Sequence, residues 1–78
     1  MPKFKFTWGD DVQVIADAPP QFRPGHHGTI CGLREVETER EATAVGFPKG
    51  SRLYLLEFSD GASLEIGEQF LGRCRSEQ

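Results

Sequence analysis

Cysteine is scarce in this chain: two residues, Cys31 and Cys74, in 78. Small secreted domains stitched by disulfides carry more, in even frameworks, so a disulfide scaffold is not expected. Basic residues are also in the minority, nine against twelve acidic, for a formal net charge of −3. Non-specific nucleic-acid binding draws on phosphate neutralisation by Lys and Arg, and no basic stripe is present to supply it. No apolar run approaches 18 residues, and the opening MPKFKFTWGDD has no hydrophobic signal-like core. A non-membrane, cytoplasmic and reduced protein is the expectation. P-loop, GxGxxG and Ser-His-Asp patterns are missing, and so short a chain has little room for a walled active site. We therefore expect neither an enzyme nor a bound cofactor.

What is present suits short strands and tight turns. Nine Gly and five Pro punctuate a chain that is 37% hydrophobic and 27% charged. This length makes one domain, and such a domain buries only about 60% of its unfolded surface. The clearest signal is Leu53 to Ile66, LYLLEFSDGASLEI. A two-residue Asp60-Gly61 turn would set Glu57 opposite Leu64 and mix charge with apolar groups on both faces. A loop of Ser59-Asp60-Gly61, with Gly61 in the left-handed region, sets Phe58 opposite Ala62, Leu56 opposite Leu64 and Tyr54 opposite Ile66. That register gives one continuous apolar face, and burial selects it.

Elsewhere the pattern alternates with period two. Lys3 to Trp8 places Phe4, Phe6 and Trp8 on one side and reads as a lead-in strand over residues 1–8. After a Gly9-Asp10 turn, DVQVIAD forms the first main strand, with Val12, Val14 and Ala16 sharing a face. Ala18 to Gly28, APPQFRPGHHG, is a proline-stiffened loop with Phe22 and Arg23 near its tip. Phe22 either meets a partner there or folds back over the end of the domain. Thr29 to Glu37 is the next strand, with Gly32 bending it to bring Leu33 inward.

Glu35, Glu37, Glu39 and Glu41 repeat at every second position. A helix would stack Glu35 on Glu39 and Glu37 on Glu41, both repulsive. Extended structure to about Thr38 is therefore expected, then a mobile loop to Ser51. A helical turn at Gly67 to Phe70, a last strand from Leu71 to Cys74 and a frayed tail at 75–78 complete the chain. The fold class this describes is all-β, a small SH3-like five-stranded antiparallel barrel with one helical turn before the last strand, in a single domain over 1–78.

Three stretches carry a family resemblance: Phe6-x-x-Gly9-Asp10-x-Val12-x-Val14, Arg23-Pro24-Gly25-x-x-Gly28-x-Ile30 and Leu53-Tyr54-x-x-Glu57-Phe58. Together they resemble the SH3-like barrel of the nitrile hydratase β subunit. They also resemble its relatives, the variable chain of ferredoxin–thioredoxin reductase and the small barrel subunit of photosystem I. Glu57-Phe58-x-Asp60-Gly61 with Leu71 is similar to Tudor domains, and Gly9-Asp10-x-Val12-x-Val14 with Gly28-x-Ile30 to KOW motifs. These are turn and core positions, and a shared fold does not transfer function. The basic residues of a nucleic-acid-binding KOW module are absent, and a Tudor aromatic cage has no residue-by-residue match. The resemblance implies an accessory, non-catalytic role.

His26-His27 with Cys31 and Cys74 makes a nominal Cys2His2 inventory, but H-H-x3-C with a remote cysteine is not a zinc spacing. Cys31 reads as a small buried hydrophobe, while Cys74 lies between Arg73 and Arg75, which would lower its pKa if the thiol is exposed. The leading expectation is a protein-binding module, an accessory subunit or small regulator. It would dock through the proline-rich loop and an exposed aromatic ridge: Trp8, Phe22, Arg23, His26, His27 and Tyr54, with Glu35 and Glu37 steering a basic partner. An immunity protein neutralising a basic toxin, or a reader of nucleic acid or methylated side chains, are the alternatives.

Overall fold

The structure, a computed structural model, describes residues 4–73. Five strands form one antiparallel sheet: β1 Asp11–Val14, β2 His27–Glu35, β3 Arg52–Phe58, β4 Ser63–Gly67 and β5 Leu71–Arg73, in spatial order β4-β3-β2-β1-β5. Among the described residues one α-helix, α1 (Glu39–Val45), lies between β2 and β3, and 3-10 turns occupy Pro20–Phe22 and Glu68–Phe70. The predicted turn before the last strand is thus present. Among the described residues β4 and β5 remain separate sheet edges, so ladder hydrogen bonds do not close the sheet into a barrel. Cys74 and the tail at 75–78 lie outside the described residues.

The β3–β4 hairpin has the expected register. Tyr54 pairs with Ile66 and Leu56 with Leu64. The loop closes through Phe58 N–H to the Ala62 carbonyl at 2.8 Å and Gly61 N–H to the Phe58 carbonyl at 3.0 Å. Gly61 takes φ 90°, which a side chain would oppose. Asp60 Oδ1 accepts from Ala62 N–H and keeps the turn tight.

The bend in β2 is a bulge. Ile30 pairs with Leu56 but Gly32 pairs with Leu55, so Cys31 is the extra residue. Ile30 and Leu33 are an odd number apart and would face opposite ways in a regular strand. The bulge turns both towards the same cluster.

That first cluster takes Val12 and Val14 from β1, Ile30 from β2, Tyr54, Leu56 and Phe58 from β3, Ile66 from β4 and Leu71 from β5, with Phe6 and Ala18 added by the connectors. Every strand contributes, which makes the cluster the core of the sheet. A second cluster gathers Val36, Phe47 and Leu53, with Phe22, Ala42, Val45 and Phe70 against it. Phe22 stacks on Phe47 at a centroid distance of 5.8 Å and meets Phe70 at 5.6 Å. The proline-rich connector, the segment after α1 and the turn after β4 are thereby joined by three rings.

Two expectations are corrected. Residues 39–45 form a helix rather than a mobile loop. Thr38 is its N-cap, accepting from Glu41 N–H at 3.1 Å, while the Glu41 carboxylate accepts from Glu37 N–H at 3.0 Å. This is a variant of the capping box, with Glu39 and Glu41 at the helix end that favours negative charge. Glu35 and Glu37 precede the helix, so the repulsive helical pairs never form. The described part of the lead-in segment is not a strand either: residues 4–8 are bends and turns outside the sheet ladders, and residues 1–3 lie outside the described residues.

Candidate functional site

Tyr54 does not belong to an exposed ridge. It is 0% exposed, and its hydroxyl is the hub that ties down the N-terminal segment. The oxygen accepts from Lys5 N–H at 2.9 Å and Phe6 N–H at 3.2 Å, and the O–H donates to Glu68 Oε2 at 2.5 Å. Glu68 also accepts from Lys5 N–H at 3.0 Å. The rings of Phe4 and Phe6 meet Tyr54 edge-on at 5.9 and 5.5 Å. These bonds replace a strand ladder, which explains why Phe4 and Phe6 are packed without β structure. Burial, reinforced by the Glu68 carboxylate, pushes the Tyr54 pKa up to about 12. For Glu68, burial acts upward but is outweighed by the hydrogen bonds from Tyr54 and Lys5 and the charges of Arg52 and Lys5, so its pKa is lowered.

The proline-rich loop also folds inward. Phe22 is half-buried among Phe47 and Phe70, the fold-back alternative of the two expected. Arg23 adopts φ 61°, the left-handed region, at a cost of about 1 kcal/mol for a residue with a Cβ. Its guanidinium lies 4.9 Å from the Phe58 ring centroid and reaches Asp60 Oδ2 at 3.0 Å. His26 meets the edge of the same ring at 6.4 Å. Arg23 and His26 thus clasp the hairpin turn. The Asp60 carboxyl is held below its usual range by the Ala62 N–H and then by Arg23.

Trp8 behaves differently from every other aromatic in the described chain. It is 68% exposed, against 37% for Ile15 and Leu55, the other large apolar residues at the surface. It occupies the second position of a turn in which Asp10 N–H donates to the Thr7 carbonyl at 3.1 Å, followed by Gly9 at φ 84°. Asp10 Oδ2 accepts from Thr7 N–H at 3.0 Å. The turn is then fastened to β2 by Gly9 N–H to the Ile30 carbonyl at 2.8 Å and Ile30 N–H to the Asp10 carbonyl at 2.9 Å. A rigid mount displays a large apolar ring to solvent.

The glutamates do not form one face. Glu35 is half-buried and pairs in register with Arg52, Glu41 is spent on the cap, and Glu37 is exposed. The outer side of the sheet carries instead a two-point ion pair, Arg34 Nε and Nη2 to Glu65 at 2.6 and 2.9 Å, which holds Glu65 below the usual carboxylate range. His26 and His27 are exposed at the start of β2, and Cys31 is half-buried in the bulge. Among the described residues no three His, Cys, Asp or Glu side chains converge as metal ligands. No helix of the described chain is long and apolar enough to cross a membrane.

One feature escaped sequence reasoning. A half-open polar groove of about 300 Å³ is lined by Lys5, Ser51, Arg52, Glu68, Gln69 and Leu71, with Gly50. Its charged residues lie far apart in the chain, and only the β3 register beside the turn after β4 brings them together. Comparison with protein-family models, curated proteins and solved structures finds no match to this chain.

Proposed function

We propose that the chain is a small SH3-like barrel acting as a non-catalytic protein-binding module, with Trp8 as its anchor. The observation that carries this reading is the exposure of Trp8 on a turn whose backbone is already bonded in place. Tryptophan is over-represented among residues that dominate binding energy, and a pre-ordered mount spares the entropy of fixing it on association. The five-stranded antiparallel order with a 3-10 turn before β5 is what an SH3-like fold requires, which supports the architectural half of the reading.

The docking surface differs from the one the sequence suggested. Tyr54 is interior, and Phe22 and Arg23 are engaged within the molecule, so Trp8 stands without them. The toxin-neutralising reading loses the continuous acidic face on which it was built. Affinity capture from a lysate of the encoding organism, run in parallel with wild type and Trp8→Ala, tests the proposal. The variant is expected to stay folded and bind at least ~30-fold more weakly, the equivalent of about 2 kcal/mol at a hot spot. Equal recovery of the same partner by both proteins would defeat the reading.

A further inference from the structure

The groove beside Arg52 includes one donor that the fold leaves unused. Arg52 opens β3, and its Nη1 lies 3.7 Å from Glu68 Oε1, an ion pair too long for a hydrogen bond. Its Nε is buried and has no hydrogen-bond acceptor. A buried N–H without an acceptor is unfavourable. Because the Arg52 side chain is itself 36% exposed, a turn of the guanidinium into the groove would offer that N–H to an incoming acceptor. Glu68 cannot easily swing across to serve Arg52 fully, because its other oxygen holds the Tyr54 hydroxyl and the Lys5 amide.

The charge balance names the sign of the missing group. Lys5 and Arg52 bring two positive charges to the groove and Glu68 one negative, a local excess of one in a chain whose net charge is −3. A guanidinium presents its donors as a planar fork that matches a carboxylate through two parallel bonds. Ser51 and Gln69 line the same groove with neutral polar groups. The fixed Glu68 carboxylate beside the fork disfavours a dianion such as phosphate more than it disfavours a monoanion. At about 300 Å³ the space is at the small end of ligand sites, enough for a small acid or the last residue or two of a peptide.

We propose that this groove is a carboxylate-binding site in which the Arg52 fork grips the ligand and Lys5 supplies the supporting charge. The site is separate from Trp8, and each assignment stands or falls without the other. The test is a nuclear magnetic resonance titration of the full chain, following the Arg52 Nε–H signal and the Ser51 and Gln69 amides. The probes are butyrate, a short peptide with a free C-terminal carboxylate, the same peptide amidated, and inorganic phosphate.

Saturable shifts of the Arg52 Nε–H with butyrate or with the free-ended peptide are expected. Arg52→Lys, which keeps the charge and removes the fork, should weaken binding roughly tenfold while leaving the amide fingerprint elsewhere unchanged. Tighter binding of the free peptide than of butyrate would identify a partner's chain end as the ligand. The reverse order would identify a free small acid, and both results uphold the assignment. It is overturned if no probe moves the Nε–H of the wild-type chain, if phosphate alone does, if the amidated peptide binds as well as the free one, or if Arg52→Lys binds like wild type. The wild-type Nε–H readout does not depend on any variant folding.

Discussion

The two hydrophobic clusters are built differently. The first is assembled from all five strands, with side chains placed by ladder register and a single polar atom, the Tyr54 hydroxyl, satisfied by three partners. The second is assembled mostly from connectors: Phe22, Phe47 and Phe70 come from three separate loops and meet over Leu53 and Val36. The first cluster holds the sheet together; the second holds the loops to it. The comparison teaches where the molecule is free to display anything. Both long connectors are tied down by the second cluster, and the short Thr7–Asp10 turn, fastened by its own backbone, is left to carry Trp8 outward.

The difference between the clusters is open to direct attack, and the strongest blow falls on the first. Tyr54→Ala should cost about 3–5 kcal/mol, most of the stability of a domain this small, and leave the chain unfolded by circular dichroism. Tyr54→Phe isolates the hydroxyl. It should cost about 1–3 kcal/mol in denaturant unfolding, because Glu68 and the amides of Lys5 and Phe6 lose their buried partner.

The same hydroxyl sets the alkaline limit. With Tyr54 raised from 10.0 to about 12, the unfolded chain releases its phenolic proton first, so stability present below pH 10 drains away up to about pH 12. The loss attributable to Tyr54 is about 3 kcal/mol, and Tyr54→Phe should lack it. Glu68 acts in the opposite direction. Its folded pKa is lowered from the ordinary 4.5, so its contribution is present above that pH and is lost as pH falls through the folded value.

The second cluster is broken most cleanly at Gly67. A Cβ there would lie 2.5 Å from Phe47 Cε1, although the φ of −69° suits any residue. Gly67→Ala should therefore cost about 2 kcal/mol by steric displacement of the ring, with the strands intact. Paired with Phe47→Leu in a double-mutant cycle, it should show strong coupling, the double variant being less destabilised than the two single losses added. The smallest effect belongs to the cap of α1. Thr38→Ala should remove about 1 kcal/mol, seen as a fall in Tm of about 4–8 °C.

What could be read in advance follows the same division. The hairpin register was legible because alternation of apolar residues and an Asp60-Gly61 turn point to one answer. The inward bend of Leu33 was legible from Gly32, though the inserted Cys31 that accomplishes it was not. The helix was missed because like-charge spacing was counted across 35–41 as if the segment were continuous. The Thr38-x-x-Glu41 box starts the helix after Glu37 and turns Glu41 from a liability into a cap.

Residues 4–8 have strand-like spacing but join no ladder, and the Tyr54 hydroxyl takes the backbone donors of Lys5 and Phe6 instead. Tyr54 itself was expected on the inward face and on an outer ridge at once; its deep burial and its bond to Glu68 remove the second role. Of the candidate site only Trp8 keeps a large exposed apolar surface, and Arg52 had no local signal at all.

The claim that Trp8 is the docking anchor is tested most directly by replacing residue 8 with a photo-crosslinking amino acid in the living cell, with position 37, also exposed, as the control. A discrete protein adduct formed from position 8 and not from position 37 is the result the account predicts. The same adducts from both positions, or none from position 8, would contradict it.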